Sequence, residues 1–495
     1  MRDHVLLYVN GKRYEIRGQS VFSSLSDFLR CELKLTGTKV VCAEGDCGAC
    51  TVLVGQPMVE GLRYLTVDAC IQFLYQLDCR HVITVEGLGT EVAGERTACE
   101  SMRRLHPVQQ AMVDCHGSQC GYCTPGFVMA LAGMFEETPE RDLRTALTGN
   151  LCRCTGYLPI LEAASSIDVA KLPSLREHYP SADIARDLLD HANASVLVEV
   201  PSARSAVFFA PRTLEEAVKF KARHPDAVIV SGGTELGVLR NKQGLEPRTL
   251  LSLMHIPGLA DITSVEDAVV VGANVTWTQV ESFARVSLPE LHRVVVRFGS
   301  PQIRNVATLV ANVAHGSPIA DSLPFLLVMD AELDLVGPNG PRRVPINDFY
   351  KGYKVKDLAP EEIITQVRFS RPDPDELLKL YKVSRRQDLD IATFGAAVRI
   401  RKAGEIITHA KVAYSGVAPT VVRLRRTEAF LQGKHFAEET FAEAGRMART
   451  EIQPITDVRG TRDFRRRLAE NILLKFFFDC AAPANAHSPV AEALS

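Results

Sequence analysis

Charge of one sign is missing from this chain. Its 57 Lys and Arg face 59 Asp and Glu for a net charge of −2, and the basic residues are scattered, so there is no electrostatic footprint for nucleic acid. Long hydrophobic runs are missing too: no window reaches the ~18 apolar residues that a membrane-spanning helix needs. The opening MRDHVLLYVNGKRYEI lacks a long apolar core and a small-residue cleavage site, and reads as a strand rather than a secretory leader. A cytoplasmic location is expected. There is no G-x-x-x-x-G-K-[ST] and no G-x-G-x-x-G opening a helix, so neither a P-loop nor a Rossmann site is indicated. Internal repeats are absent. Cysteine is not: the chain has 13, and in a cytoplasmic protein that number argues for metal ligation or redox work rather than disulfides.

With 46% hydrophobic and 23% charged residues over 495 positions, the chain can bury ordinary cores and is expected to form about three or four domains. Two β-like runs, 5–9 and 13–17, flank Asn10-Gly11, a strong hairpin signal. A helical pattern follows at Leu25, Phe28, Leu29 and Leu33, and strands are expected at Thr51–Val54 and Val82–Val85. These make a small α+β domain over 1–90. Residues 91–169 read as a four-helix domain, in which Pro125 suits the first turn of a helix. Residues 170–205 carry Pro and charge without periodicity and read as a linker. A strand-and-helix module covers 206–378, with strand-like runs at 268–272, 332–336 and 362–368. A last module spans 379–480 and ends in helices. The Ala/Pro/Ser-rich tail, 481–495, is expected to be disordered.

Eight cysteines form two quartets. Cys42, Cys47, Cys50 and Cys70 have the spacing C-x4-C-x2-C and then nineteen residues to the fourth, which is the plant-type [2Fe–2S] ferredoxin spacing. Gly45 and Gly48 allow positive φ, letting backbone N–H groups approach the sulfurs and tune the potential. Cys120, Cys123, Cys152 and Cys154 are spaced C-x2-C, twenty-eight residues, C-x-C. Structural zinc is the competing reading for this second set, but a C-x-C pair is unusual for zinc and it neighbours a ferredoxin-like module. Cys31, Cys79, Cys99, Cys115 and Cys480 read as buried thiols acting as small hydrophobes.

The stretches CAEGDCGACTVLVG, GSQCGYCTPGFVMAL and GNLCRCTGYLPI together resemble the iron–sulfur half of the xanthine dehydrogenase family of molybdenum hydroxylases. HPVQQAMVD and YKVSRRQDLDIATFGAAV extend the resemblance over nearly the whole chain. It points to the bacterial form, in which two iron–sulfur domains are fused to an FAD domain. The resemblance implies an α+β multidomain fold. Its parts are a β-grasp [2Fe–2S] ferredoxin domain, a four-helix [2Fe–2S] domain, an α+β FAD-binding domain of the vanillyl-alcohol-oxidase type, and a C-terminal α+β domain like that of CO dehydrogenase flavoprotein. It further implies two [2Fe–2S] clusters and FAD on this chain. Molybdopterin would be on a large partner subunit, in a heterotetramer of two small and two large chains. NAD⁺ would be the acceptor during oxidation of hypoxanthine or xanthine. Gln119 matches a family glutamine near the pterin. The alternatives are a related hydroxylase acting on aldehydes, N-heterocycles or an aryl-CoA, and a non-catalytic electron carrier.

VIVSGGTELGVLR reads as a strand entering a Gly-rich turn whose N–H groups can cradle a pyrophosphate. By resemblance, Ile229, Val230, Ser231, Gly232, Gly233, Thr234, Glu235 and Leu236 line FAD, and Phe298, Thr308, Asn312, Asp321, Ile364 and Lys382 fall on further contact positions. An aromatic ring can stack on a flat heterocycle, an Asp can accept from hydroxyls, and a cation near the isoalloxazine would favour its reduced anion. One departure stands out: Val310-Ala311 precede Asn312 where the family has Gly-Gly, so two side chains must fit beside the cofactor. His315 has no paired nucleophile and reads as structural. The acceptor choice is expected to depend on the loop Ser384–Asp390.

Overall fold

The computed structural model describes residues 1–91, 103–201 and 205–481. The first module is a five-stranded mixed sheet. Its order is Lys12–Ile16, Val5–Val9, Arg80–Ile83, Thr51–Met58, Gly61–Asp68, with the pair Val5–Val9 and Arg80–Ile83 parallel. The Asn10-Gly11 hairpin forms as expected, both residues at positive φ (47° and 78°), which matches the twist of the flanking strands.

The next module packs the helices Pro107–Asp114, Thr124–Glu137 and Leu158–Ser165 with a single turn at Leu143–Ala146. Thr124–Glu137 is buried along ten of its residues, because it lies between the first sheet and its companion helices. The segment 170–205, expected as a linker, is structured where described. Ser181–Ala192 is a helix and Val196–Val200 a strand. Ile184, Ala185 and Leu188 supply an apolar stripe that three aspartates and a histidine obscure in the sequence. Asp187 accepts from the Tyr8 hydroxyl (2.8 Å) and Arg13 (3.0 Å), bracing this helix on the N-terminal hairpin.

The third module has two sheets. One runs Val228–Val230, Thr249–Ser252, Ala206–Ala210 in parallel, with Val196–Val200 antiparallel at its edge; the other is a five-stranded antiparallel sheet containing Ala268–Gly272, Glu332–Gly337 and Ile363–Ser370. The last sheet starts with Glu376–Val383, which runs across position 379, and is backed by the helices Glu438–Ala448 and Arg462–Ala481. The tail beyond 481 and Cys99 lie outside the described residues.

The first and third modules are locked together by a buried polar group. Arg2 grips Asp78 with two bonds (2.8 and 2.6 Å), and His255 of the third module reaches the same carboxylate at 2.8 Å. Asp78, Cys79 and His255 have metal-like spacing, but the Arg2 guanidinium occupies the carboxylate, so the group is a salt-bridged latch. Among the described residues no helix is long and apolar enough to cross a membrane.

Candidate functional site

The first quartet sits in the irregular loop that precedes strand Thr51–Met58, with its fourth member just after Gly61–Asp68. Cys42 is in thiol–thiol contact with Cys47 and with Cys70, and Cys70 with Cys50. Cys50 and Cys70 are each 2% exposed. The neighbouring thiols, together with N–H groups of Glu44 and Asp46, pull Cys42 far toward thiolate, while its contact with Cys42 pushes Cys70 up. The Asp46 N–H donates to Cys42 Sγ at 3.4 Å. Gly45 and Gly48 have φ of +75° and +66°, as the wrapping loop requires. Asp68 stands 3.7 Å from Cys50 Sγ, and burial first, then the Cys42 thiolate, push its carboxyl up to about 7. Four converging thiols, one already favouring the thiolate and met by a backbone donor, fit the donor set that a [2Fe–2S] cluster takes.

The second quartet is assembled from the start of Thr124–Glu137 and the turn before Leu158–Ser165. Cys120 and Cys154 are exposed and their sulfurs lie 3.6 Å apart; Cys123 and Cys152 form the inner pair. Burial pushes Cys123 up to about 12. Burial also raises Cys152, but the Thr155 hydroxyl (3.2 Å) and N–H (3.5 Å) outweigh it and favour the thiolate. Cys120 is lowered chiefly by the Tyr122 N–H. Gln119 is exposed beside it. The two quartets touch through the backbone: the Leu151 N–H donates to the Cys47 carbonyl at 3.0 Å. Of the other cysteines, Cys79 is buried as expected, but Cys31 is exposed and Cys115 and Cys480 only half-buried. Cys31 is held at the end of a short helix whose inner face is filled by Phe28 and Leu29.

A cavity of ≈590 Å³ opens in the third module. Ile229 through Leu236, Phe298, Thr308, Asn312 and Ile364 line it. Val228–Val230 delivers the chain into the Gly232-Gly233 turn, and Gly233 (φ +64°) starts the helix Thr234–Gln243. A Cβ on Gly232 would come within 2.1 Å of the Val306 carbonyl oxygen, so glycine lets these two turns approach and close the cradle. Thr308 caps Leu309–His315 and lies 3.2 Å from the Ser231 hydroxyl. Two helix starts therefore face one cavity, as a pyrophosphate cradle requires. Phe298 packs with its ring tilted on Trp277, centroids 4.5 Å apart; Trp277 also lines the cavity, and its buried indole N–H has no partner among the described residues. These features fit FAD. Val310 and Ala311 both sit at the wall, Val310 turned into the core, and the cavity remains open.

The structure does not bring Asp321 and Lys382 to this wall. They form a buried pair at 2.7 Å, and Lys382 also donates to the Arg297 carbonyl at 2.8 Å. A buried ammonium needs such a counter-ion, so its charge is largely neutralised before it could act on a flavin. Burial raises the Asp321 carboxyl despite Lys382. His315, expected as structural, lines the cavity and is held by Glu235 and by Lys354 (2.8 Å). Trp277 escaped the sequence reading, although the capping box Thr276–Gln279 marks its helix start.

Comparison with known proteins agrees with this layout. Four family descriptions match in series: a 2Fe-2S iron-sulfur cluster binding domain over 7–81, a [2Fe-2S] binding domain over 84–165, an FAD binding domain in molybdopterin dehydrogenase over 202–372, and a CO dehydrogenase flavoprotein C-terminal domain over 379–480. Aldehyde oxidase 2 of Rattus norvegicus is 31% identical over 96% of this chain and 39% of its own length. Xanthine dehydrogenase of Drosophila subobscura is 32% identical over 86% of this chain and 35% of its own. The chain thus spans well under half the length of these relatives. Among solved structures, a carbon monoxide dehydrogenase from Hydrogenophaga pseudoflava is 30% identical, covering 54% of this chain and 94% of the other, with a TM-score of 0.52. Quinoline 2-oxidoreductase from Pseudomonas putida 86 is 28% identical, covering 55% and 95%, with a TM-score of 0.51.

Proposed function

The chain belongs to the molybdenum hydroxylase family, as a module with two [2Fe–2S] domains and an FAD domain, and from that premise we propose that it is the electron-transfer subunit of a xanthine dehydrogenase. One arrangement carries the reading. A quartet with two exposed thiols, a quartet with two buried thiols and a flavin-sized cavity lie in series, linked by hydrogen bonds between their segments. The Cys120/123/152/154 group would hold the cluster nearest the surface, facing a partner subunit that would carry the molybdopterin site. The Leu151-to-Cys47 bond leads to the Cys42/47/50/70 group.

From there the helix Thr234–Gln243 leads to the cavity. Its N-terminal end forms the Gly232-Gly233 cradle, and near its C-terminal end Asn241 donates to the Cys70 carbonyl (2.8 Å) and Lys242 to the Cys42 carbonyl (2.6 Å). The eight cysteines would hold the clusters, and Ile229–Leu236, Thr308 and Asn312 would hold the cofactor in the cavity that Phe298 also lines. When bound, the clusters would supply one-electron chemistry and the flavin two-electron chemistry, with NAD⁺ as the acceptor we propose.

The purine substrates are favoured by the resemblance around HPVQQAMVD and YKVSRRQDLDIATFGAAV and by relatives named xanthine dehydrogenase. Aldehyde oxidation is the second reading, favoured by the 31% identity to aldehyde oxidase 2. The test is anaerobic turnover of the purified complex with xanthine, hypoxanthine and an aldehyde panel in the presence of NAD⁺. Xanthine should give urate and NADH. Oxidation of aldehydes but not xanthine would overturn the purine assignment, and peroxide in air without NADH would overturn the acceptor.

A further inference from the structure

Three glycines meet where the two quartets and the flavin domain touch. Gly48 lies between Cys47 and Cys50, Gly126 follows Cys123, and Gly149 precedes Cys152. A Cβ on Gly48 would lie 2.2 Å from the Gly149 carbonyl oxygen, one on Gly126 2.1 Å from the Gly48 carbonyl oxygen, and one on Gly149 1.9 Å from Gln302 Oε1. No side chain fits between these segments.

A buried polar knot fills the remaining space. Gln302 Nε2 donates to Asn150 Oδ1 (2.9 Å) and to the Thr51 hydroxyl (3.2 Å). Asn150 Nδ2 and the Thr51 hydroxyl both donate to the Gly48 carbonyl, at 3.0 and 2.6 Å. The three side chains come from three domains and each is no more than 2% exposed. Beside the knot runs the Leu151-to-Cys47 bond, one residue away from Cys152. Gln302 belongs to a one-turn helix already capped by Ser300, and its buried Oε1 has no partner among the described residues. Its amide bonds therefore go to the two cysteine-bearing segments and not to its own helix.

We propose that Gln302 is a positioning residue for electron transfer between the two clusters. Through Asn150 and Thr51 it fixes the Gly48 carbonyl, and so keeps the Cys47 and Leu151 backbones in hydrogen-bonding register. The step it serves moves one electron: one cluster is oxidised by one unit, the other reduced by one, and no bond or proton moves. The inference rests on reading the two quartets as [2Fe–2S] ligands.

The test uses the full chain with both clusters in place. Three variants are compared with it: Gln302→Met, which keeps length and removes both donors, and the pair Thr51→Val and Thr51→Ser. Iron content and visible absorbance report cluster occupancy. Electron paramagnetic resonance of the fully reduced chain reports the spin–spin interaction between clusters. A flash-generated one-electron reductant reports the transfer rate.

Gln302→Met should keep both clusters, weaken the interaction and slow transfer by about tenfold or more, since small misplacements of reacting centres are costly. Thr51→Val should follow it, and Thr51→Ser should restore the parent behaviour. Unchanged interaction and rate in Gln302→Met would overturn the proposal. So would iron loss in both Gln302→Met and Thr51→Val, which would make the knot purely structural. An unmodified chain lacking two clusters would instead defeat the underlying reading of the quartets.

Discussion

The two quartets are chemically alike and physically opposite. Around Cys42, Cys47, Cys50 and Cys70 the protein closes: two sulfurs are buried, Ile71 and Leu74 complete the core beside them, and the flavin domain holds the loop through Asn241 and Lys242. Around Cys120, Cys123, Cys152 and Cys154 it opens: two sulfurs face solvent, and Tyr122, Leu151, Tyr157 and Leu158 stand exposed nearby. Hydrogen bonding and low dielectric together set a cluster's potential, so one ligand type in two surroundings gives two electronic roles. On the proposed reading, the enclosed site exchanges electrons inside the chain and the open one receives them from outside.

The largest expected effect breaks the pair apart directly. Cys50→Ala and Cys154→Ala should each cost one cluster, and so half the iron and one of two paramagnetic signals. Cys50 is itself part of the domain core, so its loss should also destabilise the first module, while loss of the exposed Cys154 should not. Exposing the intact chain to a chelator should remove the Cys120 group's iron first. Equal rates of loss would mean that burial does not distinguish the sites.

A pair of glycines sharpens the contrast at the level of stability. Gly48→Ala forces a left-handed backbone on an L-residue and drives its Cβ to 2.2 Å from a backbone oxygen; thermal or denaturant unfolding should show a loss of about 3–5 kcal/mol. Gly121→Ala has the same sign of φ (+81°), but its nearest neighbour is the Ser118 hydroxyl at 3.8 Å, so strain alone should cost about 1–2 kcal/mol. Similar losses would mean that the enclosed packing around Gly48 yields easily.

Much of this contrast was legible in the sequence, and the reason is range. The Asn10-Gly11 hairpin and the Gly232-Gly233 turn are written in adjacent residues, and each quartet in tight cysteine clusters separated by only nineteen or twenty-eight residues. The helix Ser181–Ala192 was not legible, because Asp183, Asp187 and Asp190 hide a stripe that makes sense only against its packing partners. Asp321 and Lys382 each look like cofactor contacts alone; their mutual neutralisation exists only in space. The Thr51–Asn150–Gln302 knot spans three domains, and no spacing rule connects those positions.

The two modules are expected to behave alike toward acid. His81 in the first is held down to about 3 by burial, and His106 in the second to about 4, by burial first and then by His178. Each imidazole accepts a backbone N–H, from Gly11 (3.0 Å) and Val108 (3.3 Å), so protonation would remove the acceptor. Both folded values lie below the unfolded one. Their contributions are therefore complete above about pH 6.5 and are lost as pH falls toward the folded values, by about 2 kcal/mol each at pH 5. His81→Gln should flatten the pH dependence of unfolding for the first module and leave that of the second. An unchanged slope would mean that His81 titrates freely.

The smallest effect is expected where the quartets are tethered at the surface. The Tyr122 hydroxyl donates to the Val40 carbonyl at 3.3 Å, joining the loop of the second quartet to that of the first. This bond spans the same two sites as the buried knot but is open to water, which replaces it at little cost. Tyr122→Phe should therefore change stability by about 0.5 kcal/mol and leave the spin–spin interaction between the clusters unaltered. Both connections join segments of the two quartets, one through Tyr122 and Val40 at the surface and the other through Asn150, Thr51 and Gln302 in the interior. If removing the exposed tether uncoupled the clusters as strongly as Gln302→Met, the separation of the two sites would be set at the surface and not by the enclosed glycine junction.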